Sequence, residues 1–231
     1  MTPSNWIALA GVLSASVAFA SGLLQYRKAQ RWKRAEFVAG EVKEVLKDRW
    51  VAVALQLLDF NSNSYNLQKA DHEHDLGEVK LNDIDLAVAM EPHSMRRGGL
   101  STPEVRVREA FDALFDALQR FEHFVASGLV RSSDFAPYLH YWLKLLGDVN
   151  SGRKPQVVVA AIWRYIEFYG YHDVQRFMDR FGYQIRLDRA DPDLRRQIES
   201  LDRRVLPIPR SAMLALNTQP GAATAEAASQ P

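Results

Sequence analysis

The densest group of side chains that could do chemistry is the run Asp71-His72-Glu73-His74-Asp75, which places two imidazoles and three carboxylates in five residues. Both groups are ligands for zinc and other divalent metals, so His72 and His74 are the candidate metal ligands. The two histidines could face one side only if the segment were extended, and the surrounding sequence is turn-rich. A solvated loop is the competing interpretation, and it is the one we favour.

Two further histidines lie in segments with a helical apolar period. His140 stands among aromatic residues, and His123 follows Glu122. Either imidazole could act as a general base only with an acid and a cleft beside it. The sequence indicates no such cleft, so we expect both to be partly buried, hydrogen-bonded structural histidines.

Phosphate binding has one candidate site. Arg106 and Arg108 lie at the start of a Phe-rich helix, whose dipole could help them bind a phosphate group. Ion pairs with Glu104 and Asp112 are the more ordinary expectation. The chain has no Gly-x-x-x-x-Gly-Lys loop, no Gly-x-Gly-x-x-Gly fingerprint and no Gly-x-Ser-x-Gly turn, so these common forms of nucleotide binding and serine catalysis are not predicted.

Apart from the loop that carries His72 and His74, the elements that would position these residues are predicted to be helices, because apolar residues recur at three- and four-residue steps and no period-two alternation appears. Beyond residue 30 the predicted segments are one long helix over 31–60 that could continue an N-terminal helix, a loop over 61–80, and helices over 81–90, from Ser101 or Thr102 to Gly128, from Ser132 or Ser133 to Gly147, over 157–168, from Asp173 to Gly182 and over 192–204.

The N-terminal segment has the pattern of a membrane span. Residues 1–26 contain no Asp, Glu, Lys or Arg, and five cations follow within eight positions. From Trp6 to Tyr26 a helix rises about 30 Å, which matches the hydrocarbon core of a bilayer and places an aromatic residue at each interface. The predicted membrane-interface residues are Trp6, Tyr26, Arg27, Lys28, Arg31, Trp32, Lys33 and Arg34.

Two alternatives compete with a retained anchor. Ala18-Phe19-Ala20 has the small-x-small form of a signal-peptide cleavage site, although no Lys or Arg precedes the apolar stretch and Leu23 and Leu24 continue it. A buried core helix is the other alternative, but it would not need twenty-six uncharged residues before a basic cluster. Because the cationic flank follows the span, the positive-inside rule predicts a cytoplasmic location for the rest of the chain.

Composition limits the function further. The chain has 231 residues, 47% of them apolar and 25% charged, which is typical of a folded domain. It has no cysteine, which excludes disulfides, thiolate catalysis and Cys-ligated metals, and its net charge of +1 disfavours general nucleic-acid binding. We expect an anchor and basic flank over 1–30, an all-helical globular domain of about seven helices over 31–206, and a disordered tail over 207–231.

The order of elements gives a resemblance to a family. Trp-Lys-Arg-Ala-Glu-Phe-Val after the span, then Val-Arg-Glu-Ala-Phe-Asp-Ala-Leu-Phe-Asp-Ala-Leu and Tyr-Trp-Leu-Lys-Leu-Leu, resembles bacterial one-span helical proteins of unknown function over about residues 31–183. The resemblance implies this architecture and carries over no catalytic residue.

From these patterns we expect a single-pass protein of the bacterial inner membrane whose all-α domain acts in the cytoplasm as an interaction or regulatory module. Its expected partners are the lipid bilayer and either another protein or a second copy, with no cofactor and no catalysis. The alternative is a membrane-anchored effector enzyme, such as a metal-assisted hydrolase that uses His72 and His74.

Overall fold

The computed structural model describes residues 3–68, 77–93 and 99–185, with side chains from residue 11 onward. The described part is helical apart from one hairpin, which confirms the all-α prediction in the main. Its elements are α1 (Pro3–Lys47), α2 (Arg49–Asp59), β1 (Ser62–Asn66), β2 (Glu78–Asn82), α3 (Asp83–Ala89), α4 (Thr102–Ala126), α5 (Ser132–Gly147), α6 (Gln156–Phe168) and α7 (His172–Asp179). The helix and tail predicted over 192–204 and 207–231 lie outside the described residues.

The single helix predicted over 31–60 is wrong at one point, because it is divided at Asp48. The N-terminal segment does continue into the bundle without a break, as α1 runs on to Lys47. Asp48 then has an extended backbone, and its carboxylate accepts hydrogen bonds from the backbone N–H groups of Trp50 and Val51, at 2.7 and 3.2 Å. These bonds satisfy the first donors of α2, so Asp48 acts as its N-cap.

The prediction of a loop over 61–80 is wrong, because the described parts of this segment lie in a β-hairpin. β1 and β2 pair antiparallel, from Ser62 opposite Asn82 to Asn66 opposite Glu78. Tyr65 and Leu81 lie on the same face of this pair, and both are buried. The hairpin therefore covers one side of the core with these two large side chains and with the half-buried Val79, while its other residues are polar and exposed.

Helix α4 lies at the centre of the bundle and contacts α2, α3 and α7. The large apolar residues from Phe111 to Val125 recur at the helical period, which predicts a core face; those up to Phe121 are buried, and Phe124 and Val125 are half-buried. The ring of Phe121 lies 4.7 Å from that of Phe135 and 6.1 Å from that of Phe177. The predicted ends are also confirmed: the N–H of Ser101 donates to Glu104 Oε2 at 2.7 Å, and Gly128 follows the helix with a φ of 76°. The core thus forms around one long amphipathic helix.

Candidate membrane-interaction site

The N-terminal half of α1 projects from the bundle. From residue 11 to residue 33 every side chain is exposed, and the first buried residue that follows them is Val38. The large apolar side chains in this stretch keep between 41% and 75% of their surface exposed: Val12 64%, Leu13 59%, Val17 69%, Phe19 75%, Leu23 41% and Leu24 66%. We call residues 11–26 the apolar segment. Exposed apolar surface of this extent is typical of a region that binds a partner or a membrane.

The polar side chains within the apolar segment are all uncharged. The Ser16 hydroxyl donates to the carbonyl of Val12 at 2.8 Å, so this side chain is satisfied inside its own helix. The backbone N–H and C=O groups of α1 likewise hydrogen-bond to each other within the helix. Such internal satisfaction is what a helix needs in a medium without water.

The basic flank follows the apolar segment on the same continuous helix. Tyr26 and Trp32 are exposed at 61% and 66%, and the cations Arg27, Lys28, Arg31 and Lys33 are exposed as well. Arg34 is half-buried and marks the point where α1 begins to contact the bundle. The predicted interface residues from Arg27 to Arg34 therefore lie between the apolar segment, which ends at Tyr26, and the folded domain.

Within the part of the chain that the structure describes, no helix meets the length and mean hydropathy expected of a membrane span. The side chain of Trp6, the predicted start of the span, lies outside the described residues.

A tyrosine–aspartate cluster joins α4 to α6 and α7. The hydroxyls of Tyr165 and Tyr171 both donate to Asp112 Oδ1, at 2.8 and 2.7 Å. Burial raises the pKa of both phenols, and the nearby Asp112 carboxylate raises it further. Burial, with Asp112 close by, also raises the pKa of Asp116. The sequence predicted Glu104 and Asp112 as ion-pair partners of Arg106 and Arg108, and it gave no indication of these tyrosines.

Arg108 has a structural role. Its Nε donates to the carbonyl of Ala89 at 2.6 Å, and its guanidinium also donates to the carbonyl of Glu91 and lies 5.6 Å from the ring centre of Tyr165. These bonds satisfy carbonyls at the end of α3. Arg106 pairs with Glu109 at 2.8 Å. The geometry therefore gives these arginines protein partners rather than a phosphate site.

A second cluster surrounds a buried lysine. Lys154, whose side chain is 1% exposed, donates to the carbonyl of Phe60 at 2.6 Å and to Asp83 Oδ1 at 2.5 Å. Asp59 lies nearby and accepts hydrogen bonds from Tyr141 and from Arg153. The buried Lys154 ammonium thus connects the segment before α6 to the residue after α2, Phe60, and to the first residue of α3, Asp83.

The prediction that His123 and His140 are partly buried is wrong. His140 is exposed, and the side chain of His123 is 71% exposed with its Nε2 only 3.1 Å from Asp173 Oδ2, so neither is a partly buried core residue. His72 and His74 lie outside the described residues. Among the residues that are described, no group of three or more His, Asp or Glu could hold a metal ion.

The raised tyrosine pKa values give a pH dependence of stability. Burial, together with Asp83 and Asp59, raises the pKa of Tyr65 to about 12 from 10.0. Because the neutral phenol is favoured in the folded state, its contribution is present below about pH 10 and is lost as the pH rises through about 12. We expect the free energy of unfolding to fall over this range, as measured by denaturant unfolding at several pH values. Tyrosine absorbance that titrates in a single step near pH 10 would contradict it.

The polar clusters of the bundle are thus occupied by its own groups, whereas the apolar segment is exposed along its whole described length. What such a segment can do is enter an apolar phase or bind an apolar partner. The chain matches no protein-family model, and comparison with curated proteins and with solved structures likewise gave no match.

Proposed function

We propose that this protein is a membrane-tethered interaction or regulatory module, with α1 between Trp6 and Tyr26 inserted in a bilayer and the helical bundle held at its surface. The observation that carries the proposal is the continuity of α1, which joins a charge-free, exposed apolar segment to the packed core through a basic flank. Because the helix is continuous, the position of the anchor in the bilayer would determine the position of the bundle.

The energetic support comes from the exposed apolar side chains. Full burial of a Val, Leu or Phe side chain contributes about 1.5–3 kcal/mol. Val12, Leu13, Val17, Phe19 and Leu24 together would therefore contribute on the order of 10 kcal/mol on entering an apolar phase. In water this surface would remain exposed, and a long unsupported helix gains little stability from backbone propensity alone.

The basic flank supports a cytoplasmic bundle. Cations close to the end of a span stay on the cytoplasmic side. Each of them also contributes about 1 kcal/mol to binding of the chain to anionic lipid headgroups. All five cations follow the apolar segment, on the bundle side. The proposed location is the inner membrane of a bacterial cell.

A tether changes what the bundle can bind. Restricting the domain to a thin layer raises its effective concentration against partners in the same membrane. A second copy of the chain is one such partner, because a side chain built at Gly11 or Gly22 would meet nothing within 4 Å and the helix is open to close approach there. Another membrane-associated protein is the other.

The experiment that tests the proposal is a topology measurement on the full chain. A reporter fused to the C-terminus should be active on the cytoplasmic side, as judged by a pair of reporters that each work on one side only. Replacing Arg27, Lys28, Arg31, Lys33 and Arg34 by acidic residues should weaken or invert this orientation, because the positive flank then disappears.

A matched control places the same number of acidic substitutions on exposed cations of the bundle, which leaves the flank intact. Orientation should then be unchanged. An unchanged orientation in the flank variant would contradict the role of the basic flank, and reporters inactive on the cytoplasmic side in the natural chain would contradict the proposed topology.

A further inference from the structure

The direction of α4 relative to α1 determines which end of the bundle lies near the basic flank. The rings of Phe37 and Phe124 lie 5.1 Å apart, and one turn further along α1 the Glu41 carboxylate lies 3.8 Å from Arg120 Nε. A step of four residues forward on α1 thus matches a step of four backward on α4. The two helices run antiparallel, so the C-terminal end of α4 lies towards Arg34.

The turn between α4 and α5 is therefore level with the bundle end of the basic flank, near Arg34. Helix α4 ends at Ala126, about 3 Å beyond Phe124 along its axis. The same step back along α1 from Phe37 reaches the neighbourhood of Arg34. We define residues 127–131 as the α4–α5 turn.

The α4–α5 turn presents an apolar side chain to solvent on an ordered backbone. Val130 is buried at 3% and its N–H donates to the carbonyl of Phe124 at 3.3 Å. The N–H of Gly128 donates to the carbonyl of Val125 at 3.0 Å. These bonds hold the turn while Leu129, between the two, keeps 51% of its surface exposed. Arg131 at the end of the turn is exposed too.

We propose that the α4–α5 turn is a second membrane contact, in which Leu129 enters the headgroup region and Arg131 meets anionic lipid headgroups. The inference rests on the proposed tether, because the basic flank defines where the bilayer surface lies. An exposed leucine beside a cation is the chemistry of an interfacial contact. Two points of attachment, α1 and the turn, would fix the bundle in one orientation instead of letting it swing about α1.

The absence of cysteine from the chain makes the test direct, because one introduced cysteine labels one site. Three full-length variants, Leu129→Cys, Val17→Cys and Thr102→Cys, are each labelled with a small fluorophore and reconstituted in vesicles of phosphatidylcholine and phosphatidylglycerol. Thr102 is the control, since it is exposed at the opposite end of α4, about 36 Å away along this 25-residue helix. Quenching is measured with lipids that carry a nitroxide on the headgroup or on the acyl chain.

We expect the headgroup nitroxide to quench the label at Leu129 and not the label at Thr102, and the acyl-chain nitroxide to quench the label at Val17. Ser127→Cys, at an exposed position of the same turn, supplies a second label if Leu129→Cys does not fold. Labels in the turn that stay unquenched while Val17 is quenched would overturn this inference and leave the tether standing. An unquenched label at Val17 would overturn the tether itself.

Discussion

Replacing Leu13 and Val17 by arginine should move the protein from the membrane to the aqueous fraction. Both residues lie near the middle of the proposed span and are exposed at 59% and 69%. An arginine near the centre of a span costs about 2.5–3.5 kcal/mol, so the pair should lower partition into the membrane by about 10⁴-fold. The measurement is the share of full-length chain that sediments with membranes.

A matched control adds the same two charges elsewhere. Ile84 and Phe168 are apolar side chains exposed at 57% and 45% on the bundle. Ile84→Arg with Phe168→Arg therefore changes the net charge equally and leaves the apolar segment unchanged. This control should remain with the membrane. Equal loss of membrane association in both double variants would show that net charge, and not the apolar segment, determines the location.

The second large effect is expected on folding, at the ion pair between α4 and Arg180, the residue that follows α7. The carboxylate of Glu122 is 2% exposed and accepts two hydrogen bonds from the Arg180 guanidinium, each at 2.7 Å. Arg180→Met keeps much of the side-chain volume but leaves the buried carboxylate without this cation. Breaking a buried pair in this way lowers the free energy of unfolding by about 3–5 kcal/mol, a large part of the 5–15 kcal/mol typical of a domain.

The opposite substitution should be milder. Arg180 keeps 37% of its side-chain surface exposed, so in Glu122→Gln its charge can reach water, and the glutamine still offers a carbonyl acceptor. Denaturant unfolding of the two full-length variants under one condition gives the comparison. If Glu122→Gln is the more destabilised of the two, the buried carboxylate is not the source of the cost.

Helices with clear terminal signals could be predicted from the sequence. Helix α4 has Ser101 before it, Pro103 in its first turn and Gly128 after it, and its apolar stripe has the helical period. Local signals and tertiary packing agree there. The junction at Asp48 could not be predicted in the same way, since the apolar period continues through it and neither Gly nor Pro marks a stop.

The hairpin was missed because most of its residues are polar. In Ser62–Asn66 only Tyr65 is buried, and in Glu78–Asn82 only Leu81 is fully buried. One large side chain in a strand of five residues is too little alternation to distinguish a strand from a loop. Its stability comes from pairing across the sheet and packing on the core, which a local pattern does not contain.

The polar clusters could not be predicted because their members are far apart in the chain. Asp112 lies 53 and 59 positions from Tyr165 and Tyr171, and Lys154 lies 71 positions from Asp83. No local spacing rule relates residues at such separations. The sequence therefore predicted only pairs at close spacing, such as those of Arg106 and Arg108 with Glu104 and Asp112. The apolar segment, by contrast, could be recognised from composition alone, because a long run without charge needs no tertiary information.

The proposed tether requires attachment of the intact chain to lipid, and flotation measures this attachment directly. Cells that express the natural full-length protein are lysed gently, the membranes are washed with alkaline carbonate, and the washed material is floated in a density gradient. The account predicts intact chain in the floating lipid fraction after the wash. Intact, full-length, lipid-free protein in the aqueous fraction would contradict it.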